Sequence, residues 1–212
     1  SNANSLTANG TVQINNGGSL HLSVSGTPTY SQSITLASGG RLAMRKAATL
    51  SNVTLPSTGS VTFNSDDQST VGFALNKNLA LTGNLTVQVG GAQGSPGNVT
   101  LSGTISGSGG LNKTEAGTLV LTGANTYNGS TTVSAGTLAL PSGSIASAIT
   151  VASNAKIGFT LGSTFTSTAA LTLSAGHAIT ITGTPTLDSY TLFTTSGTIN
   201  GTPQLTSVIP DY

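Results

Sequence analysis

The chain is 212 residues long, with only 5% charged and 4% aromatic residues and a formal net charge of +1. So even a balance leaves no electrostatic footprint for nucleic acid or an anionic membrane surface. The complete lack of cysteine excludes disulfides and thiolate metal sites. Apolar residues at 36%, with Val, Ile and Leu recurring regularly, argue against disorder. Abundant Thr and Val favour strands, and the intervening Gly, Asn and Pro favour turns, so the first reading is all-β.

In chain order, Ser1-Asn2-Ala3 reads as an expression-tag scar, and residues 4–212 read as one continuous unit cut from something larger. A pattern apolar–x–apolar, often followed by Ser or Thr and Gly, then starts at Leu22, Leu42, Val61, Leu79, Val99, Leu119, Leu138, Phe159 and Ile179. The starts are evenly spaced, and even spacing of this kind is the signature of a repeat architecture. A second apolar pair falls within nearly every step: Ile34 and Leu36, Val53 and Leu55, Val71 and Phe73, Val87 and Val89, and later Ile149 and Val151, and Leu171 and Leu173. The step from Val99 is poor, offering Leu111 with Lys113 beside it. Gly90 to Gly97 reads as a loop bulging from one coil with the step preserved. No apolar run is long enough to span a bilayer as a helix.

Each step thus predicts at least two short strands with apolar residues facing one side. Such strands cannot bury a core alone, but they can when stacked on similar neighbours, which is the logic of a β-solenoid. The expectation is a parallel solenoid with coils of about 20 residues, in which Leu81, Leu101, Leu121, Leu140 and Leu161 form one internal file. An antiparallel sandwich is the rival, on the strength of hairpin-type dipeptides at Asn9-Gly10 and Asn128-Gly129. A sandwich does not require the constant step.

The segment Gly107 to Leu140 carries Gly109-Gly110-Leu111, Lys113-Thr114, Ala116-Gly117-Thr118-Leu119 and Leu121, then Gly123-Ala124-Asn125-Thr126-Tyr127, Thr131-Thr132-Val133 and Ala135-Gly136-Thr137-Leu138. In that order these elements resemble the autotransporter-associated β-strand repeat of passenger regions and other large bacterial surface proteins. The resemblance implies a right-handed parallel β-helix outside the cell and no catalytic residue. It implies bends at Gly117 and Gly136, interior places for Leu119, Leu121, Val133, Leu138 and Leu140, and turn places for Asn125 and Tyr127. Glu115 departs from the family, which usually has Gly there; either the loop needs no positive φ, or it tolerates strain.

Little chemistry stands out. His21 and His177 lie many coils apart and are expected to be solvated or partly packed. Gly107 to Gly110 lacks the Lys-Ser/Thr ending of a phosphate-binding loop, and no Gly-x-Ser-x-Gly elbow supports a nucleophilic serine. The one charge cluster is Arg41, Arg45 and Lys46 with Asp66 and Asp67. Lys46 and Asp66 are one step apart, which suits an ion pair between adjacent coils. A Ca²⁺-dependent polysaccharide lyase site is the sharper alternative, thinly supported by two adjacent Asp. The expectation is therefore no catalytic, cofactor-binding or metal site and no cofactor. The chain reads as a structural and interaction module of an extracellular bacterial surface or autotransporter passenger protein, a stalk for adhesion or self-association. Surface glycans, surface proteins or further copies are its expected partners. A polysaccharide-binding or polysaccharide-cleaving β-helix is the alternative.

Overall fold

The computed structural model describes residues 11–22, 29–30, 32–44, 48–65, 72–90, 97–184 and 189–204. Its regular structure is all β, and every strand pairing is parallel. Successive strands visit three faces in turn, so the chain winds as a β-solenoid. The first face is a nine-stranded sheet running from Ser19–Leu22 to Ile199–Asn200. The second is an eight-stranded sheet running from Thr29–Tyr30 to Ala178–Thr182. The third is broken into sheets of three, two and four strands. The solenoid reading holds, and the sandwich does not.

Alternation explains why the strands form. In Thr118–Leu121, Leu119 and Leu121 are buried while Thr118 and Val120 face out. In Leu85–Val89 the three apolar residues are buried and Thr86 and Gln88 face out. Full burial of one such side chain contributes about 1.5–3 kcal/mol, but only the stacked neighbours provide the cover. Inward columns result: Val61, Val87, Lys113, Val133, Val151 and Leu173 succeed one another on the first face.

The register corrects the regular step, because coil length varies. Leu85 pairs with Leu111, Leu111 with Thr131, Thr131 with Ile149, and Leu171 with Ile199. The coil leading to Ile199 is much longer than the one leading to Ile149. The step does not survive across Gly90–Gly97, because both coils preceding Leu111 and Val99 are long. Val61 therefore pairs with Val87, not with a residue near Leu79, which lies on the third face. A constant-step reading slips by one face at each long coil. The predicted internal file is corrected for the same reason. Leu50, Leu75, Leu101 and Leu121 do form one file on the second face, and Leu140 extends the line beyond Ala139, the partner of Val120. Leu81 pairs with Gly107 on the third face. Phe159, not the half-buried Leu161, takes the next place, since Gly158 pairs with Ala139 and Phe159 with Ile181.

On and beside the third face, asparagine carboxamides supplement the backbone bonds between coils. Asn78 Oδ1 accepts from the Thr104 N–H at 2.9 Å and Asn84 Oδ1 from the Gly110 N–H at 3.1 Å. Asn125 Oδ1 accepts from the Ile105 N–H at 3.0 Å. The Ile105 N–H is buried, and without an acceptor it would cost about 1–3 kcal/mol, so Asn125 adds a side-chain link to coils that backbone bonds already join.

Candidate functional surfaces

Of the charge cluster, only Arg41 is among the described residues; Arg45, Lys46, Asp66 and Asp67 lie outside them. Arg41 sits on the outer side of the first face, paired in register with Thr62. With the buried Asn64 amide oriented to satisfy its neighbours, its oxygen accepts from Arg41 Nε at 3.1 Å and from Nη2. Its nitrogen then donates to the carbonyls of Phe63 at 3.1 Å and Gly90 at 2.6 Å. Arg41 is therefore tied to the scaffold by a neutral partner.

His21 lies on the strand Ser19–Leu22 and His177 just before Ala178–Thr182, many coils away, and His177 is buried. Its Nδ1 lies 2.8 Å from the Ser174 carbonyl, which can only accept, so Nδ1 carries the proton. Nε2 then accepts from the Gln204 N–H at 3.3 Å. Nδ1 thus fixes the ring to its own turn, and Nε2 ties it to the next coil. Among the described residues no three His, Asp or Glu side chains converge as a metal site would require.

Lys113 is the charge that the pattern reading passed over. It stands at an inward position, fully buried, with Val87 and Val133 as its register partners. Its Nζ donates to the carbonyls of Thr114 and Glu115 at 2.7 Å each and of Ala135, one coil on, at 3.2 Å. Burial lowers its pKa from the ordinary 10.5 to about 8, with the nearby Glu115 charge opposing. Its carbonyl cage explains Glu115: φ there is +65°, so the turn does adopt the left-handed conformation and the strain is tolerated. The signal available in the sequence was a lysine two residues after Leu111, a place where strand alternation calls for an apolar side chain. Gly136, at φ +67°, closes the cage; a Cβ there would lie 2.3 Å from the Glu115 carbonyl oxygen and 2.8 Å from Lys113 Nζ. Gly117 serves differently, at ordinary φ, because a Cβ would meet the Gly97 and Val89 carbonyl oxygens at 2.5 Å and 2.6 Å.

Tyr127, given a turn place by the repeat resemblance, packs inside and offers no surface for a ligand. It is fully buried, with its hydroxyl 2.6 Å from Thr131 Oγ1, which is 2.5 Å from Ser147 Oγ. Burial pushes its pKa up to about 12 against these hydrogen bonds. An apolar slit on the third face, between Val53 and Leu79, has room for about one water, and Lys77 Nζ at its lining is held 2.6 Å from Thr54 Oγ1.

What remains is the outside. On the first face one outward file reads Ser60, Thr86, Asn112, Thr132, Thr150, Thr172 and Asn200, uncharged throughout. On the second face the central outward file reads Thr100, Val120, Ala139, Gly158 and Thr180. The small residues in that file leave a groove of about 210 Å³, floored by Ala139 and Gly158 and rimmed by Thr118, Thr137, Thr160, Thr180 and Thr182. Pockets that enclose a whole small-molecule ligand are larger, about 300–1,000 Å³.

Residues 111–140 match a family model described as passenger-associated-transport-repeat. No curated protein and no solved structure matches the chain. The matched residues carry Lys113 and the buried Tyr127, and their strands pair in register from one coil to the next. Residues 111–140 are thus similar to the passenger-associated-transport-repeat, and they are wound as part of a parallel β-solenoid.

Proposed function

We propose that the chain is a stalk segment of an autotransporter-type surface protein, displayed outside the cell, which acts through its long outer faces in adhesion or self-association and performs no catalysis. The observation carrying this reading is the passenger-associated repeat lying in register within a continuous parallel solenoid. The polar groups that could have served chemistry support it too: those of Lys113 and His177 are spent inside on joining coils, and the Tyr127 hydroxyl is spent on Thr131, which bonds Ser147 of the next coil. The solenoid then supplies reach and rigidity, and its sparsely charged faces supply contact.

The test is surface labelling of intact cells producing the parent protein. Antibodies raised against this segment should stain unpermeabilised cells, and external protease should remove the signal. Staining only after permeabilisation would overturn the reading.

A further inference from the structure

We infer that the second face is a docking surface for another copy of the same chain, packed face to face with the rung order reversed about the Thr137–Ala139 strand. The inference rests on the stalk reading and supplies its partner. The central outward file runs Thr100, Val120, Ala139, Gly158, Thr180, one residue per rung. A two-fold axis lying along the Thr137–Ala139 strand reverses the rungs and leaves each file facing itself. Val120 of one copy then meets Gly158 of the other, Ala139 meets Ala139, and Thr100 meets Thr180. The ridge at Val120 fills the groove over Gly158 twice, once from each side, as an isologous contact demands.

Charge agrees with this register. Lys156 is the one charged residue among the outward positions of the five strands from Asn98–Leu101 to Ala178–Thr182. Reversed rungs set it opposite Thr118, its counterpart across Thr137 in the same file, so no like charges meet. The alternative two-fold, along the rod, would set Val120 on Val120 and Gly158 on Gly158, a clash beside a void. Five rungs at about 4.8 Å and three outward residues at about 6.8 Å give about 500 Å² per partner. That lies at the weak, transient end of specific interfaces. Many copies displayed together would compensate through effective concentration.

The chain has no cysteine, which allows a direct test with a short bis-maleimide. Ala139→Cys should cross-link to itself. Thr100→Cys and Thr180→Cys should cross-link when mixed and not when either is alone. Sedimentation equilibrium should show dimer at high concentration. Gly158→Val should weaken it about tenfold or more by overpacking. The swap Val120→Gly with Gly158→Val should restore it to within about threefold. A Cβ at Gly158 meets only the rotatable Thr180 hydroxyl, at 2.9 Å, and backbone no closer than 3.6 Å, so the variant is expected to fold; melting curves check this, and the cross-links stand without it. A wild-type chain that stays monomeric, or Thr100→Cys that links to itself as readily as to Thr180→Cys, overturns the proposal. So does a neutral oligosaccharide that perturbs Gly158 while no dimer forms. Surface staining would be unchanged in each of these cases, which separates failure here from failure of the stalk reading.

Discussion

Lys113 shows what a single residue can do in a stacked fold. Its ammonium is out of water, and three carbonyls from two coils surround it. A folded pKa of about 8 against the ordinary 10.5 means that the unfolded chain binds more protons between those values. Stability therefore rises with pH across that window: the burial penalty is present below pH 8 and gone above 10.5. The advantage of the wild type over Lys113→Met should grow by about 3 kcal/mol between pH 7 and pH 11, read from urea midpoints. A flat difference would mean that the amine is solvated. Its neighbours are testable separately. Glu115→Gly removes a side chain from a left-handed backbone and should stabilise by up to about 1 kcal/mol, the gain being trimmed by the entropy of unfolded glycine. Gly136→Ala should cost about 2 kcal/mol or more, since the added methyl meets backbone oxygens at 2.3 and 2.4 Å. Thermal melts of the two variants should move in opposite directions.

Among the strands, the weak point is the third face. Its ladder stops between Leu79–Leu81, paired with Ile105–Gly107, and the next sheet beginning at Ala124–Asn125. Backbone bonds from the Thr126 and Asn128 N–H groups to the Ile105 and Gly107 carbonyls still cross there, and Asn125 adds to them, accepting from the Ile105 N–H and donating through Nδ2 to the Gly123 carbonyl at 3.0 Å. Asn125→Leu keeps the side-chain volume close but orphans a buried N–H. It should cost about 1–3 kcal/mol, and amide exchange should accelerate first at Ile105. Equal acceleration across the whole coil would instead mean that the Asn does no more than fill space. Asn125 was legible as a repeat residue in the turn. Its partner was not, because a hydrogen bond from one coil to another depends on which coil lies beside it.

For the molecule as a whole, stability should be distributed along the stack. Coils contact their neighbours, so energy sums over nearest-neighbour interfaces. Leu121, fully buried in a central coil, should lose about 3 kcal/mol on replacement by Ala. Ile199, 52% exposed on the last strand of the first face, should lose under about 0.5 kcal/mol. Hydrogen exchange should follow the same gradient, with slowest exchange around Leu119 and Leu138 and faster exchange toward Ile199. Uniform protection would show one cooperative block in place of a stack.

The class of fold was legible in the unfolded text of the chain, because alternation needs only local information: Leu119 and Leu121 point one way whatever lies next to them. So was the segment that matches the transport repeat, since order along the chain is what a repeat is. Register was settled only by folding. Short and long coils look alike locally, and a coil that lengthens at a turn shifts every later strand away from the place a constant step assigns it. Folding also settled the fates of Lys113, Glu115 and His177, whose partners come from neighbouring turns and coils. The groove over Gly158 belongs to the same class, because a missing side chain becomes a shape only when Ala139 and Thr180 are stacked on either side of it.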